Sequence, residues 1–244
     1  MRLKNRFGVS ISHSVVGCLG LSMLLLLIAP ANPACAYDRM VLIEDFTNTR
    51  CGPCYYWAPY FEQAREAFDE DQYVVVAIHA WWPGADDPWW LANQGENRAH
   101  INEYGVHGVP SFWVDGVNVQ LVNPPNSFVA NFIREVDRRL ETDSPIAMDA
   151  RVGIFEDLFH TTVNVTSDED LNSLKLRLAM VEIYNDYRPP NSNYPPGHHD
   201  ALLDLIPDND GTNFSINAGE TLSFSFQSPR DIGWDEDMGD DDIM

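Results

Sequence analysis

The sequence predicts an α/β unit, a mixed sheet with helices on both faces, followed by a small antiparallel β-sandwich. Three observations carry that expectation. Between residues 40 and 140, strand-like apolar runs and helical stripes alternate in the order β-α-β-α-β-β-α, which suits a mixed sheet covered on both faces. Beyond Thr142-Asp143-Ser144-Pro145 the pattern changes to short strand-like runs parted by turn residues. Finally, Cys51 and Cys54 stand one helical turn apart at the head of the first helical stripe.

Taken in order, residues 1–36 read as an export signal. Arg2, Lys4 and Arg6 form a basic start, residues 19–29 are almost wholly apolar, and Ala34-Cys35-Ala36 has a small-x-small cleavage pattern. The mature chain is then expected to begin near Tyr37, outside the cytoplasm, in the periplasm or secreted. Cys18 and Cys35 leave with the signal, so four cysteines become two. The apolar run beyond Cys18 falls short of the roughly 20 residues a membrane span needs, so membrane association is expected only if the segment is retained.

Residues 40–46 read as a buried strand and 47–50 as a turn. Residues 51–68 carry a helical pattern, with Tyr56, Tyr60, Ala64 and Ala67 near one stripe. The β-branched run 73–78 suits a central parallel strand. After a Trp-rich loop, residues 92–104 are moderately helical. Residues 111–114 and 117–122 form a hairpin around Asp115-Gly116, and 128–140 an amphipathic helix. The later strands are expected at 146–152, 161–166, 174–184, 201–206 and 221–226. Clean alternation of Leu174, Leu176 and Leu178 with Lys175 and Arg177 points to an antiparallel sandwich. The expected division is a signal at 1–36, an α/β domain at 37–142, a β-sandwich at 143–234 and an acidic tail at 235–244. That tail breaks off where a sandwich would supply a further strand, which fits either a truncated or a disordered end.

The formal charge is −22, and losing the three basic residues of the signal takes it to −25. Such a surface repels phosphate backbones, so no nucleic-acid partner is expected. Export to an oxidising compartment usually brings structural disulfides, yet only the Cys51/Cys54 pair remains. Two thiols at this spacing close a small disulfide ring and reopen it. A thiolate is the attacking species, and the amino end of a helix favours it through unpaired N–H groups and the dipole. Cys51 is therefore expected to be an exposed nucleophile, with Arg50 adding positive charge, and Cys54 the resolving thiol. Pro53 suits the first helical turn. Zinc uses the same spacing but wants four ligands, and no second cysteine pair exists, while His198-His199 is expected far away in the other domain. No metal and no cofactor are expected.

The stretch Val41-Leu42-Ile43-Glu44-Asp45-Phe46, followed after four residues by Cys51-Gly52-Pro53-Cys54 and then by Pro59, resembles the active-site strand and helix of the thioredoxin family. Tyr104-Gly105-Val106-His107-Gly108-Val109-Pro110-Ser111 resembles that family's cis-proline segment. The resemblance covers roughly residues 37–140. It implies a thioredoxin fold and a thiol-disulfide oxidoreductase acting on protein or peptide thiols and disulfides, reset by a redox partner that the residues do not identify. It further implies that Asp45 is a buried carboxylate relaying a proton to or from Cys54. Pro110 would be a cis proline that leaves Val109 free to pair with an extended substrate, beside Gly52 and Pro53. Two departures stand out. Arg50 replaces the family's usual tryptophan, altering the platform for partners, and the loop Trp81-Trp82-Pro83-Gly84-Ala85-Asp86-Asp87-Pro88-Trp89-Trp90 is expanded. Trp81 and Trp82 would either contact substrate or pack on the protein's own helices. His79 and His107 would either approach the sulfurs or serve the core. The later half resembles, more loosely, the β-domain of secreted bacterial outer-membrane-protein-28-related proteins. A binding module whose CxxC is only a structural staple is the alternative function.

Overall fold

A computed structural model describes residues 37–229; the expected signal and the acidic tail lie outside the described residues. Strand β1 (Val41–Thr47) leads into α1 (Gly52–Arg65), and β2 (Tyr73–His79) lies parallel to β1. Next come α2 (Pro88–Ala92), α3 (Gln94–Tyr104), the hairpin β3 (Ser111–Val114) and β4 (Val117–Val119), and α4 (Pro125–Leu140). Asp115 and Gly116 at the hairpin both have positive φ, 44° and 74°, the geometry an Asp-Gly turn is chosen for. Helices α1 and α4 cover one face of the sheet through Trp57, Phe61, Phe128 and Phe132, and α3 covers the other through Ile101. Helices on both faces of a mixed sheet match the sequence expectation.

The later half departs from it. Its strands are β5 (Ile146–Phe155), β6 (Leu158–Ser167), β7 (Leu171–Leu176), β8 (Leu178–Asn185), β9 (His198–Ile206), β10 (Thr212–Ile216) and β11 (Thr221–Pro229). The sandwich expected over 143–234 does not keep them all. Strands β8 and β9 join the first sheet, whose order is β4-β3-β1-β2-β9-β8, with β9 parallel to β2 at Ala77 and Ala201. The remaining strands form sheets β11-β6-β5 and β10-β7, which share an apolar cluster around Val163, Val165, Leu176 and Ile216. The run read as one strand, 174–184, is broken at Arg177, whose guanidinium pairs with Glu103 on α3 at 3.0 Å. Gly211 permits this crossing: its φ is +68°, and a Cβ there would meet the Leu176 carbonyl oxygen at 2.8 Å.

Strand alternation decides which carboxylate of Glu44-Asp45 goes where. Glu44 shares its face with Phe46 and α3, where His100 Nε2 lies 2.5 Å from its Oε1. Both side chains are buried. Replacing His100 with Ala leaves a buried carboxylate without its partner, which costs about 3–5 kcal/mol. Urea unfolding of His100→Ala at neutral pH checks this, and a loss under about 1 kcal/mol, the worth of an exposed pair, would contradict it.

Candidate functional site

Strand β1 delivers the chain to a turn that Asn48 and Thr49 hold in place. The Asn48 amide donates to the carbonyls of Ala80 and Gly84 at 2.7 and 2.9 Å, and the Thr49 amide donates to Asp87 at 2.8 Å. The next residue, Cys51, is the N-cap of α1: its Sγ accepts from the Cys54 amide at 3.0 Å, and Pro53 occupies the first turn where no amide is missed. Cys51 and Cys54 form a disulfide. Cys51 Sγ also lies 3.6 Å from the carbonyl oxygen of Val109, and the Val109–Pro110 peptide is cis.

Beneath the disulfide is a cavity of about 110 Å³. Asp45, Cys54, His79, Pro110, His198 and Asp200 are among its walls. Alternation along β1 points Asp45 to the α1 face, and what remains accessible of it faces this cavity. Its Oδ1 is buried with no hydrogen-bond partner among the described residues. Burial raises its carboxyl from the usual 3.8 to about 7, against the pull of His79 and Arg65. An acid that titrates near neutrality beside a buried thiol can hold or release that thiol's proton.

No family model and no curated protein matches the chain. Among solved structures, HBP35 of Porphyromonas gingivalis superposes with a TM-score of 0.65 at 18% identity, over 85% of this chain and 68% of that one. A structural-genomics target from Agrobacterium tumefaciens superposes with a TM-score of 0.51 at 13% identity, over 81% of this chain and 80% of its own. Tryparedoxin I of Leishmania major overlaps less, at 17% identity over 39% of this chain and 76% of its own, with a TM-score of 0.30. The mixed sheet β4-β3-β1-β2 with helices on both faces fits a thioredoxin-like α/β fold extended by β9 and β8.

At this site two sequence expectations need correction. Cys51 is not exposed: only 1% of its surface is accessible, and Cys54 is 8% accessible. The connection between β8 and β9, a segment no local pattern ties to the cysteines, reaches the residues beside it: Tyr194 lies against Gly52 and Tyr55. Arg50 does not direct an unpaired charge at the sulfur either. Its guanidinium binds both carboxylate oxygens of Asp86, at 2.5 to 3.1 Å, and donates to the Pro190 carbonyl at 2.8 Å. Gly84 lies directly against the Arg50 stem, where a Cβ would come within 2.3 Å of Cγ.

The tryptophans divide by position. Trp89 and Trp90 are buried, and Trp89 donates to Glu182 on β8 at 2.7 Å. Trp81 and Trp82 are partly buried and pack with Val109 on the α3 face, with Arg98 over the Trp81 ring at 5.0 Å. His107 is exposed, whereas His79 is buried with Nδ1 2.8 Å from Asp87. Sequence reading placed His198 far from the cysteines, but β9 brings it into the cavity wall, with Nε2 3.4 Å from the Tyr55 hydroxyl. Burial and nearby His79 lower its pKa to about 4, so it stands neutral at pH 7. Arg65 and Asp200 were also missed; they pair at 2.8 Å between α1 and β9. A His-His-Asp run at the start of a strand was the available signal, and only its neighbour in the sheet gives it meaning.

Proposed function

We propose that this chain is an exported thiol-disulfide oxidoreductase that exchanges disulfides with protein or peptide substrates through Cys51 and Cys54. The observation that carries this reading is the Cys51–Cys54 pair at the N-cap of α1, with a carboxyl titrating near pH 7 in the same cavity wall as Cys54. In the reduced protein, Cys51 thiolate attacks one sulfur of a substrate disulfide and the other sulfur leaves as a thiolate. Asp45 takes the proton of Cys54. Cys54 thiolate then attacks Cys51 Sγ, releasing the second substrate thiolate and leaving the protein oxidised. A dithiol donor resets it. Run backward, the same steps donate a disulfide, and the partner's reduction potential sets the direction. Both electrons travel on sulfur, so no metal or cofactor enters. Val109, Gly52 and Pro53 form the substrate-facing backbone, with Trp81 and Trp82 flanking it. Export rests on the sequence of residues 1–36.

Insulin reduction by a dithiol measures the activity directly. Wild type is expected to turn over and Cys51→Ser to fall to the uncatalysed background; equal rates would remove the catalytic reading. The alternative is a binding module whose disulfide is only a structural staple. Equilibration with glutathione separates the two, because a structural disulfide lies below about −300 mV and a catalytic one above it.

A further inference from the structure

Something on this protein already sits where a substrate must go. The 186–197 connection lies over the amino end of α1, where it makes three approaches, while its Tyr187 packs on Trp89 and His198. The Tyr194 ring stacks on Tyr55 with centroids 4.2 Å apart and planes 15° from parallel. The Tyr194 hydroxyl lies 3.0 Å from the point a Cβ on Gly52 would occupy, so the absence of a side chain at position 52 admits it. The carbonyl of Pro190 accepts from Arg50 Nη1 at 2.8 Å.

The connection itself, Asp186-Tyr187-Arg188-Pro189-Pro190-Asn191-Ser192-Asn193-Tyr194-Pro195-Pro196-Gly197, holds four prolines. Each proline removes a backbone donor and biases the residue before it toward extended geometry. The segment therefore offers carbonyls and an aromatic ring, and it contributes no strand to either edge of the six-stranded sheet. Its described backbone hydrogen bonding to itself is one turn, Ser192 N to the Pro189 carbonyl at 3.2 Å. A strandless chain with a ring on Tyr55, a close approach to Gly52 and a carbonyl on Arg50 is what an incoming polypeptide would present when its cysteine reaches Cys51.

We infer that the 186–197 connection is an internal occupant of the substrate surface, and that this surface selects polypeptides carrying an aromatic residue near the reacting cysteine. The partner displaces Tyr194, stacks its own ring on Tyr55 and takes over the Arg50 hydrogen bond. Cys51, 1% accessible with the connection in place, becomes reachable when it leaves. The partner's part rests on the exchange activity proposed above; the cover over Cys51 does not.

The test uses the full chain, reduced, with iodoacetamide labelling of Cys51 at pH 7 followed by mass spectrometry. Tyr194→Ala is expected to label about ten times faster than wild type, because an open site no longer waits for local opening. Tyr194→Phe keeps the stack and is expected to label as wild type does. Circular dichroism on both variants checks that they are folded. The acetylated, amidated pentapeptide copying residues 193–197 is then added to Tyr194→Ala. It is expected to slow labelling again, whereas the same peptide with Ala for Tyr leaves it unchanged. Equal labelling of wild type and folded Tyr194→Ala would overturn the occupant, and faster labelling with no protection by the tyrosine peptide would overturn the aromatic preference. Labelling needs no turnover. Loss of insulin activity with the labelling pattern intact therefore refutes the oxidoreductase reading and leaves the cover standing.

Discussion

A chain ending at Thr142 is expected not to fold, although it holds every element of the thioredoxin resemblance. Strand β2 would lose its neighbour β9, and its Val75–His79 stretch, now buried, would become a long apolar sheet edge of the kind that aggregates. The α3-side cluster would lose Val181, Leu202 and Leu205, and Trp89 would lose Met180, Ala201, Leu203 and Ile206. At about 1.5–3 kcal/mol for each large buried side chain, the first three alone are worth roughly 5–9 kcal/mol. Whole domains are stable by only about 5–15 kcal/mol. The Arg65–Asp200 pair, which holds α1 to β9, goes as well. Residues 37–142 should show no cooperative urea transition and should aggregate on concentration, while residues 37–229 unfold cooperatively. A monomeric, cooperatively unfolding 37–142 would show that β8 and β9 merely decorate a complete domain.

The second large effect is the pH dependence that Asp45 imposes. Its carboxyl titrates near 7 in the folded protein and near 3.8 when unfolded. Below about pH 4 both states are protonated and the residue costs nothing. As pH rises from 4 to 7 the unfolded state gives up its proton while the folded state keeps it, so stability falls; above 7 the loss is complete. At 1.36 kcal/mol per unit the full penalty is roughly 4 kcal/mol. Asp45→Asn removes the titration. It is expected to be more stable than wild type by about 2–4 kcal/mol at pH 8 and equal to it at pH 4, in urea unfolding of the oxidised proteins. The same variant should resolve mixed disulfides more slowly, because it removes the proton acceptor we propose for Cys54. Stability differences that do not change between pH 4 and pH 8 would show that Asp45 is not held in a desolvated site. A site that sacrifices stability for a titratable group is an expected trade in catalysts.

Much of this was legible in the residues. Strands β1 and β2 and helices α1 and α4 follow from periodicity, because each buries one face within a few residues of chain. The Asp115-Gly116 hairpin follows from the positive φ such a turn requires. Asp45, Cys54 and Pro110 line one cavity, and Cys51 is bonded to Cys54. The exposure of Cys51, the free charge of Arg50 and the separateness of the later half were misjudged for one reason: each depends on contacts between segments distant in the chain, Val109 on Cys51, Asp86 and Pro190 on Arg50, and β9 on β2.

What the sequence determined alone is what depends on neighbours in the chain: the helix that caps Cys51, the alternation that sends Glu44 and Asp45 to opposite faces of β1, and the turns. What only the tertiary structure decided is partnership. An apolar run such as 201–206 states that it must be buried but not against which sheet edge, since hydrophobic burial is non-directional and any apolar partner satisfies it. Strand β9 pairs with β2 because β2 has an open edge and Ala77 and Ala201 allow close approach. That choice carries His198, Asp200 and Tyr194 to the disulfide.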